Sequence, residues 1–394
     1  MTHATDAAHL NTNIMDTWLV ENDHKVKVNL GESNVADIRL GDVLSDASWR
    51  HGLERMTLGN NDTRGSSRLR QAIADTYPDS GVGPKNILVT AGVSEAVVAV
   101  SLAHQAPGGN LVIPVPAFHA LFDVPAMLGY EIRKVALDAK ADFRLPVEAI
   151  LAAIDSRTRI VLLNSPHNPT GAVYARHEIE TVAEAAQAVG AIVVVDEHYR
   201  YLPFGPDEDW IPSAAGMREN IVAMGSVGKC FGCTGIRVGW IVTDEERLER
   251  YHHYKLLLTH TIPVLSDRIA CELLDRRREL LPAIRRDIAA NLRRLEATVA
   301  RGNGLLKLYS PDAGSTAFVQ LCGMPDSLAF AQNLLDATGV LALPGESFDL
   351  PGFLRLRLGI APEDFARACD GIETALARAH AKPTRTAHAQ TELG

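Results

Sequence analysis

Lysine 229 stands in the run S-V-G-K-C-F-G-C-T-G-I-R-V-G-W, residues 226–240, among small residues and glycines, with an arginine eight positions later. A surface lysine needs no such setting. Three other short stretches share one feature: each follows a continuous apolar run and carries groups able to do chemistry. After N-I-L-V-T comes A-G-V-S-E-A (91–96), a turn of small residues entering a helical pattern. Its free N–H groups at Gly92, Val93 and Ser94 suit an anion such as phosphate, or serve simply as a turn. After R-I-V-L-L-N comes S-P-H-N-P-T-G (165–171), where two prolines clamp the backbone around His167 and Asn168 and so fix an amide at the end of the run. Plain turn chemistry is the alternative. After A-I-V-V-V comes Asp196, followed by Glu197, His198 and Tyr199. A carboxylate closing an apolar run must be paired, either by capping the next turn or by facing a cationic ligand.

The elements that position these groups follow from periodicity. Residues 86–90, 110–114, 159–164, 191–196 and 220–225 are β-branched apolar runs, the pattern of strands buried on both faces. Between them S-E-A-V-V-A-V-S-L-A-H-Q, P-V-E-A-I-L-A-A-I and E-I-E-T-V-A-E-A-A-Q-A-V have helical spacing. Strand and helix in alternation predict an α/β fold with a mostly parallel, doubly wound sheet, whose ligands bind at the carboxyl ends of the strands. Residues 265–300 read as two helices or one kinked near Pro282. L-L-K-L-Y, S-T-A-F-V-Q-L, V-L-A-L, F-L-R-L-R-L-G-I and a closing helix from about 362 predict a smaller α+β domain. The expected organisation is an N-terminal arm and part of the small domain in 1–44, a large domain in 45–285, a small domain in 286–380 and a disordered polar tail in 381–394.

Composition narrows the function. The chain has 394 residues, 46% of them hydrophobic and 22% charged, as in ordinary globular proteins. No run of about 18 apolar residues is present, so a membrane role is not expected. A net charge of -9 with scattered basic residues argues against nucleic acid as a partner. The N-terminus lacks the pattern of a secretory signal, and five cysteines are few and odd in number, so a cytoplasmic location is expected. Cys230 and Cys233 form a C-x-x-C, but without a second pair or a strand–helix setting they predict neither a metal site nor a redox centre.

N-P-T-G, D-x-x-Y and S-x-x-K-x-x-x-x-x-G-x-R-x-G, in this order, resemble the pyridoxal-phosphate (PLP) enzymes of fold type I, aminotransferase class I/II, over about residues 28–380. The resemblance implies PLP as cofactor, an L-amino acid as substrate and a homodimer with sites at the subunit boundary. It implies that Lys229 forms the Schiff base with the cofactor and then moves the alpha proton. Small residues around the lysine let the cofactor approach the backbone. Ser226 and Arg237 correspond to phosphate ligands, as do the N–H groups of Gly92, Val93 and Ser94. Asp196 corresponds to the carboxylate that keeps the pyridine nitrogen protonated, Tyr199 and Asn168 to the pair on the phenolate oxygen, and Phe118 to the aromatic stacked on the ring. Arg357 corresponds to the fork on the substrate carboxylate, with Gly31 beside it. Arg355, on the same strand face by the period of two, is the second choice.

The sequence departs from the family at one notable place. Typical aminotransferases carry a tyrosine five residues before the glycine of G-x-x-x-L-R, reaching the phosphate of the neighbouring subunit; here the motif is G-S-S-R-L-R (65–70) and that position is Asn60. Together with S-P-H-N-P-T-G and residues 29–43 and 254–270, this resembles a subgroup around capreomycidine synthase. The resemblance thus implies transamination first, and elimination, replacement or cyclisation in specialised metabolism second. His198, His119 and Glu32 are candidates for additional acid–base groups, against a surface or structural role for each.

Overall fold

The computed structural model describes residues 13–44, 47–78, 80–204 and 210–381. Apart from residue 381, which ends the last helix, the tail expected to be disordered lies outside the described residues.

Thirteen strands are described: β1 (Val28–Asn29), β2 (Ile87–Thr90), β3 (Asn110–Val115), β4 (Glu131–Ala136), β5 (Thr158–Asn164), β6 (Ile192–Asp196), β7 (Ile221–Ser226), β8 (Gly239–Val242), β9 (Leu306–Tyr309), β10 (Thr316–Leu321), β11 (Val340–Leu341), β12 (Leu343–Pro344) and β13 (Phe353–Arg357). Seven of them form one sheet in the order β2-β8-β7-β6-β5-β3-β4. The five apolar runs are β2, β3, β5, β6 and β7, and every residue of β2, β6 and β7 is buried. Helices Val93–His104, Val147–Ala153 and Arg176–Ala188 occupy the stretches with helical spacing. Apolar clusters on the two faces of the sheet, one with Val97, Val100, Leu162 and Val194 and another with Val161, Val182, Val193 and Val195, explain the continuous rather than alternating pattern.

Two strands escaped the periodicity. β4 is the edge strand and mostly solvent-facing, so it lacks the apolar run. β8 is short, contains Gly239, and runs antiparallel to both β2 and β7. Because it is antiparallel, its start lies at the same sheet edge as the carboxyl ends of its neighbours: Gly239 pairs with Ser226 on one side and Thr90 on the other.

A four-stranded antiparallel sheet, β12-β13-β10-β9, carries helices Ser327–Thr338 and Pro362–Ala381. β1 joins this part of the chain by pairing parallel to β11. Residues 265–300 form two helices, but the break falls at Arg276 rather than Pro282: the helices are Val264–Asp275 and Arg277–Arg301, with Pro282 inside the second. Pro282 is the sixth residue of that helix, past its first turn, and the helix continues through it. The helix runs through the boundary expected at 285 without interruption.

Candidate active site

The sheet edge at the carboxyl ends of β5, β6 and β7 opens into a cleft lined by Gly92, Val93, Ser94, Phe118, Asn168, Asp196, Ser226, Lys229 and Arg237, among others. These nine come from six separate stretches of the chain, at strand ends, helix starts and the turns between them. Of the other residues singled out in the sequence, His198 also lines the cleft, whereas Tyr199, Gly31 and the two arginines of β13 are buried or half-buried next to lining residues and are not part of the lining themselves. Apolar side chains Val97, Leu121, Val124 and Val238 complete the lining.

Each polar group is held by its local fold. Asn164, the last residue of β5, donates from its amide to the Asp196 carbonyl (2.9 Å) and accepts the Asn168 N–H at its Oδ1 (2.7 Å), so the two strand ends and the proline loop form one unit. Helix Val93–His104 begins after Gly92, whose φ of 80° is the left-handed region that favours glycine. A Cβ there would lie 2.7 Å from Arg237 Nη2, and one on Gly239 would lie 2.6 Å from the Gly92 carbonyl carbon. The two glycines therefore let the helix start, the first residue of β8 and the Arg237 guanidinium meet at one point. Arg237 itself has a φ of 53°, uncommon for a residue with a side chain and typical of a functional turn.

Lys229 lies on the short helix Gly228–Phe231 after β7 and donates from Nζ to Ser33 Oγ at 2.9 Å. Burial lowers its amine from the ordinary lysine range to about 8; nearby Arg355, Arg237 and Arg357 push the same way, and the charge of Glu32 opposes them. An amine near 8 is available as a neutral nucleophile and base at physiological pH. Ser33 was not singled out from the sequence. It lies two residues beyond Gly31, and only the fold brings it 196 positions along the chain to the lysine.

On β13 both arginines face the same way, as the period of two requires, but their surroundings differ. Arg357 donates from Nε to the Asn34 carbonyl (2.6 Å) and from Nη2 to the Val35 carbonyl (2.7 Å), so its fork secures the backbone of residues 34–35. Arg355 donates from Nη1 to Asn168 Oδ1 (3.1 Å) and from Nη2 to the Gly31 carbonyl. Its Nε is buried without a hydrogen-bond partner, and it forms no ion pair with a described residue. Glu32 is the one carboxylate whose charge acts on it, and it does so without a direct ion pair, so the buried guanidinium suits an anionic ligand.

Two histidines differ in the same way. His119 is held by Asp123 (2.9 Å) and Asp16 (3.4 Å), outside the cleft lining. His198 bonds Asp196 Oδ1 through Nδ1 at 2.7 Å. Asn60 lies away from the cleft, in a shallow depression with Leu58, Thr261, Pro263 and Leu265. The Cys230 and Cys233 thiols are buried and bond the main-chain carbonyls of His198 and Val227.

The residues fit pyridoxal phosphate. The Tyr199 hydroxyl is buried without a partner, as is His198 Nε2, and the Gly92–Gly239–Arg237 junction leaves N–H groups and a guanidinium facing the cleft. Burial raises the Tyr199 phenol, opposed by Arg355, so it remains a donor. A buried lysine with a lowered amine, a glycine-lined helix start beside a guanidinium and a strand-end carboxylate share one cleft, the set of groups such a cofactor needs.

The chain belongs to the aminotransferase class I and II family, which it matches over residues 25–372. It is 30% identical to the arginine–pyruvate transaminase AruH of Pseudomonas aeruginosa over 331 residues, 81% of this chain and 84% of that one. It is 26% identical to capreomycidine synthase of Streptomyces vinaceus, over 94% of this chain and 95% of that one. A PLP-dependent aminotransferase structure from Streptococcus suis superimposes with a TM-score of 0.88 at 25% identity, covering 94% of this chain and 98% of the other. The chain is thus a PLP-dependent enzyme of α/β fold type I.

Proposed function

We propose that the enzyme transaminates an L-amino acid, with Lys229 as the proton-transfer base. The observation that carries this is the Lys229 amine, lowered to about 8 by burial and lining the same cleft as Asp196. Pyridoxal phosphate supplies the carbonyl that captures the substrate amine and the ring that draws electrons from the alpha carbon. Lys229 then removes the alpha proton and returns it at the neighbouring carbon. With the cofactor bound, Asp196 would hold the ring N–H, Tyr199 and Asn168 would donate to the ring oxygen, and Phe118 would cover the ring. Ser226, Arg237 and the N–H groups of Gly92, Val93 and Ser94 hold the phosphate. Arg355, rather than Arg357, grips the substrate carboxylate next to Gly31, because both arginines bond neighbouring acceptors but only Arg355 keeps a buried Nε without a partner.

The second reading is loss of a leaving group or ring closure, as in specialised metabolism. It is supported by the match to capreomycidine synthase along nearly the whole chain and by Asn60. The protein acts as a homodimer in this reading of the site. Leu58 and Leu265, 86% and 40% exposed, share the depression that holds Asn60, an apolar face suited to a second copy; sedimentation at micromolar concentration tests this.

The deciding experiment is an absorbance titration of the PLP-loaded protein with L-amino acids, L-arginine with pyruvate first, coupled to mass analysis. Conversion of the cofactor to its amine form with a matching keto acid supports transamination. Recovery of pyridoxal phosphate with an eliminated or cyclised product refutes it in favour of the second reading.

A further inference from the structure

His198 is a histidine two residues beyond Asp196, on the turn that follows β6. Its Nδ1 lies 2.7 Å from Asp196 Oδ1, and its main-chain N–H donates to the same oxygen at 3.3 Å. No hydrogen bond from a described residue reaches Asp196 Oδ2. The side chains of Asp196 and His198 are 2% and 9% exposed, and both line the cleft. The imidazole meets the Tyr199 ring at 4.0 Å between centroids, and the main-chain carbonyl of His198 accepts from the Cys230 thiol at 3.1 Å. The turn is thereby pinned to the residue after Lys229. His198 Nε2 is buried without a partner. A histidine present for packing alone has no reason to bring its second nitrogen into a cleft unpaired.

We propose that His198 is a positioning residue for the contact between Asp196 and the ring nitrogen of pyridoxal phosphate. The inference rests on the PLP reading of the cleft. By donating to Oδ1, His198 fixes the plane of the carboxylate and leaves Oδ2 to accept the ring N–H. The Nδ1–H donor also sets the tautomer, so that in the neutral ring Nε2 is an acceptor facing the bound cofactor or substrate. The arrangement comes from the same loop as the carboxylate, so no distant element has to close to assemble it.

The test compares two ligands, pyridoxal phosphate and its 1-deaza analogue, in which a C–H replaces the ring nitrogen. Equilibrium dissociation constants are measured for the wild type, His198→Ala and His198→Gln. If His198 acts through the ring nitrogen, His198→Ala weakens pyridoxal phosphate by about tenfold, the scale of a lost hydrogen bond to a charged group, and leaves the analogue within about twofold. Equal weakening of both ligands would mean that His198 only packs against the cofactor, and overturns the proposal. Unchanged binding of pyridoxal phosphate overturns it as well. Should His198→Ala not accumulate as folded protein, the same comparison on His198→Gln decides by the same two criteria. A wild type that binds no pyridoxal phosphate at all refutes the proposed function instead, so the two failures are distinct.

Discussion

Arg355 and Arg357 stand on one face of one strand, and replacing each in turn separates the substrate grip from a structural fork. Arg355 is 2% exposed, bonds Asn168 and Gly31, and has no carboxylate partner among the described residues. If it holds the substrate carboxylate, Arg355→Lys loses the planar fork, a change of about 3 kcal/mol in transition-state binding, or roughly 150-fold in kcat/KM. Arg357→Lys loosens residues 34–35 and lowers the melting temperature, but changes kcat/KM by less than about tenfold because its bonds go to main-chain carbonyls. The assay is the rate of cofactor conversion with an L-amino acid and with the corresponding decarboxylated amine. Arg355→Lys should lose most of the wild-type preference for the amino acid, and Arg357→Lys should retain it. The opposite pattern, with preference lost at 357 and kept at 355, refutes the assignment.

Lys229→Ala is expected to abolish turnover while still binding pyridoxal phosphate noncovalently, seen as loss of borohydride-trapped label with retained binding; normal turnover would remove the basis of the mechanism. The amine lowered to about 8 also predicts a pH effect on the cofactor-free protein. Between about 8 and the unfolded lysine value of about 10.4 the unfolded chain binds the extra proton, so stability rises with pH through this window. The rise is on the order of 3 kcal/mol at most and should be absent in Lys229→Met, as chemical denaturation across that range will show. Gly239→Ala forces a Cβ to within 2.6 Å of the Gly92 backbone, with no flexible side chain to yield, and is expected to reduce phosphate affinity by at least tenfold in a cofactor titration, roughly the loss of one charge-assisted bond.

Much of this architecture is written in local pattern. Strands buried on both faces announce themselves as continuous apolar runs, and the groups just after them reach one edge because parallel strands end on the same side. What escaped has tertiary causes. β4 is an edge strand and needs no apolar face; β8 is four residues long and contains a glycine that only the proximity of Gly92 explains. The choice between Arg355 and Arg357 turns on where Asn168 and residues 31–35 lie, which strand periodicity cannot say. Ser33 carries no local mark at all, since its partner is set by packing across 196 positions. The helix break falls at Arg276, which carries no local breaker, whereas Pro282 carries the strongest one and lies inside a continuous helix.

Residues 30–38 run as a strap between the two sheets. Leu30 and Ala36 bond residues 341 and 359, Arg357 is bonded to Leu30 in turn, and Val35 and Ile38 bond the carbonyls of Lys229 and Gly232. A Cβ on Gly232 would lie 1.9 Å from the Ala36 carbonyl, so the strap and the lysine turn have no slack between them. If Arg355 holds the substrate and Lys229 moves the proton, the basicity of the lysine and the grip on the substrate are then not independent variables, since the same strap contacts both residues. A substitution in the strap that alters one will register in the other, and selection for a new substrate at the carboxylate end has to preserve the amine's environment at the far end of the same nine residues.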